Sequence, residues 1–239
     1  MNLAIDHGNT RIKVGVFNQT ALQEQFIFED ISTFGKWVDQ KLISNLIVSS
    51  VSKSPDSLLK LVEVKEKKIE LTQSLPLPIE VRYSSRDTLG VDRIAAACGA
   101  IEIAPGRNSL VIDMGTCINY EFVDANAVYY GGAISPGVKM RFEAMHTLTA
   151  RLPLVKVKEH VELIGRTTEE CLQSGVINGV LAEIEGLINN YKVKYPNLSV
   201  ILCGGDAFLF ENRLKQPIFV APNLVLKGLN RILLHNVNV

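Results

Sequence analysis

The chain contains the stretch LAIDHGNT at residues 3–10 and a second stretch of the same pattern, LVIDMGT, at residues 110–116. Each copy is an apolar run that ends on an aspartate, followed two positions later by a glycine and then by a small amide or hydroxyl side chain. An alternating apolar stretch follows each copy, at residues 12–17 and 118–123. Apolar runs on either side of a glycine turn predict a β-hairpin. The repeat therefore predicts two similar halves, each beginning with a hairpin whose turn carries an aspartate.

The rest of the chain alternates strand-like and helix-like segments in both halves. In the first half we predict strands near 2–6, 11–18, 22–28, 45–51 and 79–82, and helices near 32–41, 54–61 and 90–103. In the second half we predict strands near 109–113, 118–123, 127–133 and 198–203, and helices near 138–148, 168–191 and 223–235. Ser32 is the predicted N-cap of the first helix. This order predicts an α/β protein with mixed sheets in two lobes, residues 1–107 and 108–239, on either side of a cleft.

The composition is that of an ordinary globular protein of 239 residues, with 47% hydrophobic and 21% charged residues. Lysine plus arginine equals aspartate plus glutamate at 25 each, which argues against a chain whose main partner is nucleic acid. No apolar run approaches the roughly 20 residues of a membrane helix, and the chain begins with a strand rather than a signal peptide. The four cysteines and four histidines lack zinc-site spacing, and we expect reduced thiols. We therefore expect a cytoplasmic protein with neither a membrane nor a nucleic-acid partner.

The residues of the two turns suit the binding of phosphate groups. Asp6 and Asp113 end their strands, where each can hold a cation or its water. The glycines that follow let the backbone turn tightly and approach an anion. Side-chain donors and a positive charge come from Asn9, Thr10, Lys13 and Thr116. Phosphoryl transfer depends mainly on positioning and charge neutralisation, so this set predicts a nucleotide-dependent phosphotransferase.

A single turn of this kind has a simpler explanation, namely an aspartate-stabilised hairpin with no ligand. The occurrence of two copies at matching places favours the binding function. The P-loop signature GxxxxGK[ST], the dinucleotide signature GxGxxG and the hydrolase signature GxSxG do not occur in the sequence.

Between the two turns, the sequence Gly90-Val91-Asp92-Arg93 begins a predicted helix. The helix dipole keeps an aspartate in the first turn ionised, so Asp92 can accept a hydroxyl proton. Arg93 can grip an anion. For an isolated Asp-Arg pair, a solvated carboxylate and a surface arginine are the commoner explanation. Glycine-rich turns, which permit close backbone packing or the approach of an anion or nucleoside, occur at residues 131–137, 165–168 and 203–207.

Taken in order, these residues resemble the type III pantothenate kinases, of the superfamily that includes acetate kinase, sugar kinases, Hsp70 and actin. The two Asp-x-Gly copies indicate only the superfamily. The resemblance becomes specific through Gly90-x-Asp92-Arg93, Gly131-Gly132-x-Ile134-x-Pro136-Gly137, and Thr168 before Gln173-Ser174-Gly175. It spans nearly the whole chain. It implies an α/β, duplicated actin-like or ribonuclease H-like fold, whose two lobes have mixed five-stranded sheets flanked by helices.

The resemblance also implies a reaction, in which ATP and pantothenate give ADP and 4′-phosphopantothenate, the first step of coenzyme A biosynthesis. ATP would be bound by Asp6, His7, Gly8, Asn9, Thr10, Arg11, Ile12, Lys13 and Thr116. Asp113 would hold a monovalent cation, potassium or ammonium, and magnesium would accompany ATP. Asp92 would accept the hydroxyl proton, and pantothenate would be bound by Tyr83, Gly90, Val91, Asp92, Arg93 and Thr168. The family is dimeric, so we expect a homodimer in which Thr168 can reach the partner's site.

Two alternatives stay open. The two turns alone permit a kinase of another small hydroxyl or carboxyl acceptor, such as a sugar or an acetate-like acid. The other alternative is a nucleotide-binding regulator without catalysis, although Asp6, Asp92 and Asp113 together have no evident use in such a protein.

Overall fold

The computed structural model describes residues 1–8, 11–39, 41–50 and 55–237. Asn9 and Thr10, which are predicted to bind phosphate, lie outside the described residues. Contacts between residues group the chain into two compact units, the first with residues 1–106, 123–131 and 223–239, and the second with residues 107–122 and 132–222. The predicted lobes divide the chain once, after residue 107, whereas the contacts place the last helix in the first unit.

A five-stranded sheet forms the centre of the first unit. Its strands lie in the order β3 (Ala21–Phe28), β2 (Ile12–Asn18), β1 (Asn2–His7), β4 (Ile43–Ser50) and β5 (Val64–Glu70). β2 pairs antiparallel with both β1 and β3, whereas β4 runs parallel to both β1 and β5. The parallel pairing brings the C-terminal ends of β1 and β4 side by side, with Asp6 next to Ser49 and His7 next to Ser50.

The helices of the first unit are α1 (Ile31–Val38), α2 (Asp56–Leu61), α3 (Val91–Ile103) and α6 (Leu224–Val237). α3 and α6 pack closely because each has a glycine at the contact. A Cβ on Gly228 would lie 1.8 Å from the carbonyl oxygen of Ala95. One on Gly99 would lie 2.5 Å from the carbonyl oxygen of Leu224. α6 also contacts β1, β2 and β4, which explains why the C-terminal helix belongs to the first unit.

The second sheet has six strands, in the order β11 (Phe219–Val220), β10 (Ser199–Cys203), β7 (Ser109–Met114), β8 (Cys117–Val123), β9 (Val128–Pro136) and β6 (Glu80–Val81). β10 runs parallel to β7 and β11, and β6 runs parallel to β9. Of this sheet, β6 and the strand residues within 123–131 belong to the first unit. All its other strand residues belong to the second unit.

The two sheets share one strand order apart from β6. In each, the first strand has the second and third strands on one side, and the fourth and fifth, parallel to the first, on the other. This matching order confirms the predicted duplicated α/β fold with two mixed sheets flanked by helices.

The second unit contains the helices α4 (Val138–Thr147) and α5 (Thr168–Lys194). α5 buries the stripe Leu172, Val176, Val180, Ile184 and Ile188 in the core of this unit. By length and composition alone α5 could cross a membrane, and 44% of its most apolar stretch is buried within the protein. The buried core helix of a water-soluble protein meets the same criterion, so the length of α5 carries no membrane assignment.

Two local predictions from the sequence differ from the structure. β5, with the sequence VKEKKIE, was not predicted because only Ile69 in it is buried, and it lies at the edge of its sheet, where charged side chains are common. The N-cap of α1 is Asp30 rather than Ser32, because Asp30 Oδ1 accepts the backbone N–H of Thr33 at 2.8 Å.

Candidate active site

The first aspartate turn connects β1 to β2. Asp6 pairs directly with Lys13 across the two strands. Opposite residues of an antiparallel pair present their side chains on one face of the sheet, so Asp6 and Lys13 share a face. The backbone N–H of Gly8 donates to the carbonyl of Arg11 at 3.1 Å and closes the hairpin.

Exposure separates the predicted phosphate-binding residues of this hairpin. Asp6, His7 and Ile12 are buried, Gly8 and Lys13 are half-buried, and Arg11 is exposed. Ile12 belongs to the core of the first unit, so its side chain is used in packing. His7 Nδ1 lies 3.3 Å from Ser50 Oγ on the neighbouring strand. Among the described residues of this hairpin, the side chains of Arg11 and Lys13 are therefore the ones that reach the surface.

The glycines of the two aspartate turns are not required by packing. A Cβ on Gly8 would lie 3.6 Å from the carbonyl oxygen of Arg11, and one on Gly115 would lie 3.8 Å from that of Cys117, which are ordinary contacts. Neither glycine has a φ in the left-handed region. Among the described residues, neither glycine is therefore needed to avoid a close contact.

The start of α3 brings several predicted substrate-binding residues together. Gly90 is the N-cap of the helix, and Val91, Asp92 and Arg93 lie in its first turn. Asp92 Oδ1 accepts the backbone N–H of Arg93 at 3.0 Å. A Cβ on Gly90 would lie 2.5 Å from the same oxygen. The absence of a side chain at Gly90 thus makes room for the Asp92 carboxylate. Val91, the next residue in the chain, is buried.

Tyr83 joins this group through Arg93. The guanidinium carbon of Arg93, a residue only 8% exposed, lies 5.5 Å from the centre of the Tyr83 ring. The ring also stacks on Tyr129, with centroids 6.3 Å apart. Gly131 has φ 97°, and a Cβ there would lie 2.7 Å from the Tyr83 ring. Tyr83 has little motif around it in the sequence, yet the structure places it against Arg93.

The second aspartate turn connects β7 to β8. Asp113 is half-buried, and Gly115 and Thr116 are exposed. The backbone N–H of Gly115 donates to the carbonyl of Cys117 at 3.0 Å. The backbone N–H of Gly137 donates to the carbonyl of Thr116 at 3.1 Å, and a Cβ on Gly137 would lie 2.4 Å from that oxygen. Gly137 therefore packs directly on the turn.

Two further glycines of the second unit are also sites of close packing, Gly132 within β9 and Gly204 directly after β10. A Cβ on Gly132 would lie 1.8 Å from the carbonyl oxygen of Tyr120. Gly204 has φ 92° and packs on the backbone of Met114, whose carbonyl accepts the N–H of Asp206 at 3.0 Å. Burial raises the pKa of the Asp206 carboxyl above its ordinary value. For Gly132 and Gly204, close packing is therefore the observed role.

An ion pair that the sequence prediction missed joins α4 to α5. Arg141 Nη2 lies 2.5 Å from Glu183 Oε2, and the Tyr120 hydroxyl donates to Glu183 Oε1 at 2.8 Å. Burial opposes ionisation of Glu183, but hydrogen bonds from Arg141 and Tyr120 hold its pKa below the usual value. Burial, together with Glu183, raises the pKa of Tyr120. No local pattern singles out Glu183, because Glu185 also lies beside Ile184 in the sequence.

Comparisons with known proteins agree with this arrangement. The sequence model of the family described as type III pantothenate kinase matches residues 2–190. A type III pantothenate kinase from Cytophaga hutchinsonii is 44% identical over 237 residues, which cover 99% of this chain and 100% of the relative. The chain belongs to the type III pantothenate kinase family.

Solved structures show the fold of this family member at lower identity. A conserved Baf family protein from Campylobacter jejuni matches with a TM-score of 0.66 and 21% identity, over 99% of this chain and 100% of that chain. An activator of 2-hydroxyisocaproyl-CoA dehydratase from Clostridium difficile with bound ADPNP matches with a TM-score of 0.57 and 12% identity, over 99% of this chain and 95% of that chain. At these identities the likeness concerns the fold alone.

Thr168, the remaining predicted substrate-binding residue of this family member, is the exposed first residue of α5. Its neighbour Thr167 caps the helix by accepting the N–H of Glu170 at 3.2 Å. A surface depression of about 580 Å³ lies beside this helix start, lined by Glu162, Leu163, Ile164, Arg166 and Glu170. Within the described ranges, no three His, Cys, Asp or Glu side chains lie close enough together to share a metal ion.

Proposed function

We propose that this family member is an ATP-dependent pantothenate kinase that forms 4′-phosphopantothenate, the first step of coenzyme A biosynthesis. The observation that carries the proposal is the group of Asp92, Arg93 and Tyr83 at the start of α3. It combines a carboxylate, a shielded guanidinium and an aromatic ring. Pantothenate offers a hydroxyl, a carboxylate and an apolar body to match them.

In this proposal Asp92 accepts the proton of the pantothenate hydroxyl. The hydrogen bond from the Arg93 backbone fixes one carboxylate oxygen. A positioned base of this kind contributes about 10²- to 10⁴-fold in rate. A loose transition state for phosphoryl transfer would put the contribution near the lower end.

Arg93 binds the pantothenate carboxylate. Its guanidinium contacts the Tyr83 ring, which restricts its orientation. Gly90, Val91 and Thr168 are assigned to pantothenate from the family pattern. The exposed position of Thr168 supports a contact with the substrate bound by a partner subunit.

The hairpin of the first unit binds ATP phosphates through backbone N–H groups and the Lys13 ammonium. The half-buried position of Lys13, which shares a face of the sheet with Asp6, supports this role. The remaining assigned residues are Asp6, His7, Asn9, Thr10, Arg11 and Ile12, of which Ile12 would contribute through its backbone. Thr116, exposed on the second turn, contributes a further phosphate contact.

Asp113 would hold a monovalent cation, potassium or ammonium. Asp113 is half-buried near the end of β7, and its carboxylate offers the oxygen ligands that hard cations prefer. When bound, this cation and the magnesium of ATP would neutralise charge on the transferring phosphoryl group.

The proposal includes a cytoplasmic homodimer. Apolar side chains that are more than half exposed occur along the chain between α4 and α5, namely Leu148, Leu154, Leu163 and Ile164. Exposed apolar surface of this kind supports a protein interface. The neutral net charge supports neither nucleic-acid nor membrane-surface binding.

An acceptor panel tests the proposal. The purified chain is incubated with ATP, magnesium and potassium and with pantothenate, a set of sugars or acetate, and the phosphorylated products are identified by mass spectrometry. The proposal predicts 4′-phosphopantothenate as the main product. Phosphorylation of a sugar or of acetate, but not of pantothenate, would overturn it in favour of another kinase of the same fold.

A further inference from the structure

Outside the assigned site residues, the second unit contains a partly shielded ion pair between Arg141 and Glu183. Arg141 lies in α4 and Glu183 near the middle of α5. Their side chains are only 22% and 26% exposed. Exposed ion pairs hold little structure in place, whereas a shielded pair with further hydrogen bonds fixes the geometry of the groups around it.

Arg141 donates to three acceptors at once. Its Nε–H bonds the carbonyl of Pro136 at 2.8 Å, and Nη2 bonds Ser135 Oγ at 2.7 Å as well as the Glu183 carboxylate. Glu183 is fixed from its other side by the Tyr120 hydroxyl at 2.8 Å. The end of β9 is therefore hydrogen-bonded to Arg141 of α4, which is itself held by Glu183 of α5 and, through Glu183, by Tyr120 of β8.

The segment that Arg141 holds is the one that supports the second aspartate turn. Ser135 and Pro136 directly precede Gly137, whose N–H donates to the carbonyl of Thr116. A Cβ on Gly137 would lie 2.4 Å from that oxygen and 2.5 Å from the carbonyl oxygen of Gly115. With so little space between them, a shift of residues 135–137 displaces the turn as well.

We propose that Arg141, oriented by Glu183, is a positioning residue that holds the turn from Asp113 to Thr116 in the place required for binding ATP phosphates and the monovalent cation. This inference rests on the proposed function. A lysine at position 141 would keep the charge but lose the planar fork that reaches Pro136, Ser135 and Glu183 together.

The test compares Arg141→Lys with the control Lys139→Gln, which removes an exposed charge of the same helix, paired with Glu143 at 3.6 Å. ATP affinity is measured directly by calorimetry, alongside the KM for ATP, the potassium concentration for half-maximal activity, the KM for pantothenate and the melting temperature. For Arg141→Lys we expect about a tenfold rise in the Kd and KM for ATP and in the potassium requirement, typical of outer residues that orient a ligand site. The KM for pantothenate should change little, and Lys139→Gln should behave like the wild type.

A merely structural role for Arg141 would lower the melting temperature and the yield of active protein but leave the Kd for ATP unchanged, and that result would overturn the inference. Should Arg141→Lys fail to fold, Tyr120→Phe removes only the hydroxyl that bonds Glu183, and we expect about a fivefold weaker ATP affinity from the loss of one hydrogen bond. An unchanged ATP affinity in Tyr120→Phe would then overturn the inference.

The outcomes for the inference and for the proposed function are distinguishable. A wild-type chain that binds ATP but does not phosphorylate pantothenate contradicts the proposed function, while the variants' ATP affinities still decide the role of Arg141. A wild-type chain that is active, with variants of unchanged ATP affinity, overturns the positioning role alone. A wild-type chain that binds no ATP overturns both.

Discussion

At the scale of single residues, the position of Asp92 depends on its neighbours. Gly90 leaves the space that the carboxylate occupies, and the backbone N–H of Arg93 fixes one of its oxygens. Asp87, in the short 3₁₀ turn before α3, is exposed and not part of this arrangement. Comparing variants of Asp87 and Asp92 therefore tests whether catalysis depends on the position of the carboxylate or only on its charge.

Asp92→Asn should lower kcat by about 10² to 10⁴, because the amide cannot accept the hydroxyl proton. Asp87→Asn serves as the control and should retain wild-type kcat. Steady-state assays with pantothenate measure both, and circular dichroism checks that the fold is intact. A folded Asp92→Asn variant with near wild-type kcat would rule out Asp92 as the base.

Gly90→Ala tests the same carboxylate without altering it. The added Cβ would lie 2.5 Å from Asp92 Oδ1, a side-chain atom that can rotate away, so the carboxylate should move while the helix remains. A displacement of about 1 Å in a catalytic group can lower the rate on the order of 10²-fold. We expect a clear drop in kcat with an unchanged circular dichroism spectrum. Wild-type kcat in this variant would show that the position of the Asp92 carboxylate is not critical.

The candidate site residues that a sequence pattern can predict most readily are those close together in the chain. Gly90, Asp92 and Arg93 form one helix turn, and a local pattern can reveal them. The group of Tyr120, Arg141 and Glu183 was not predicted, because its residues meet only after folding. Arg141 lies 42 positions and Tyr120 lies 63 positions before Glu183 in the chain. The individual site assignments, those of Gly90, Asp92 and Arg93 included, remain predictions.

At the scale of elements, a helical glycine can be required by close packing in one helix and have no neighbour in another. In α6, Gly228 packs on the carbonyl of Ala95 in α3, and this contact needs a residue without a side chain. In α5, Gly186 is exposed, and a Cβ there would have no neighbour within 4 Å. The same substitution should therefore have opposite effects in the two helices.

Gly228→Ala should lower the free energy of unfolding by about 2–3 kcal/mol, because the helices must separate to admit the methyl group. Gly186→Ala should raise it by about 0.5–1 kcal/mol, because alanine loses less backbone entropy than glycine in a helix. Urea denaturation measures both. If Gly228→Ala is as stable as the wild type, the close packing of α3 on α6 is contradicted.

Strongly patterned elements were predictable, and weakly patterned ones were not. The hydrophobic stripes of α3 and α5 reflect burial, so periodicity found them. β5 has no such pattern because it is a charged edge strand that forms by pairing with β4. The N-cap of α1 was misplaced by two residues because aspartate and serine are both good caps, and the backbone geometry decides between them.

At the scale of the whole molecule, the duplication organises the chain. Each half contributes one sheet of the same strand order with an aspartate turn after its first strand. The repeat in the sequence predicted the duplication that the matching strand orders confirm, whereas the return of α6 to the first unit depends on contacts between distant residues. The second unit also has exposed apolar side chains that one protomer leaves uncovered.

Leu163→Glu should convert the predicted homodimer to monomer, because a charge would have to be buried at the interface. Leu42→Glu is the matched control, since Leu42 is 74% exposed in the first unit and Leu163 is 77% exposed in the second. Light scattering after gel filtration gives the mass of each. A monomeric wild type, or a dimeric Leu163→Glu variant, would contradict an interface at this segment.

The most direct test of the central claim is an ADP-release assay of the wild-type chain with ATP and magnesium, with and without pantothenate, in potassium and in sodium buffer. A pantothenate kinase with a cation at Asp113 should release ADP only when pantothenate is present, and much faster in potassium than in sodium. ADP release that is independent of pantothenate, or its absence under all of these conditions, would contradict the account.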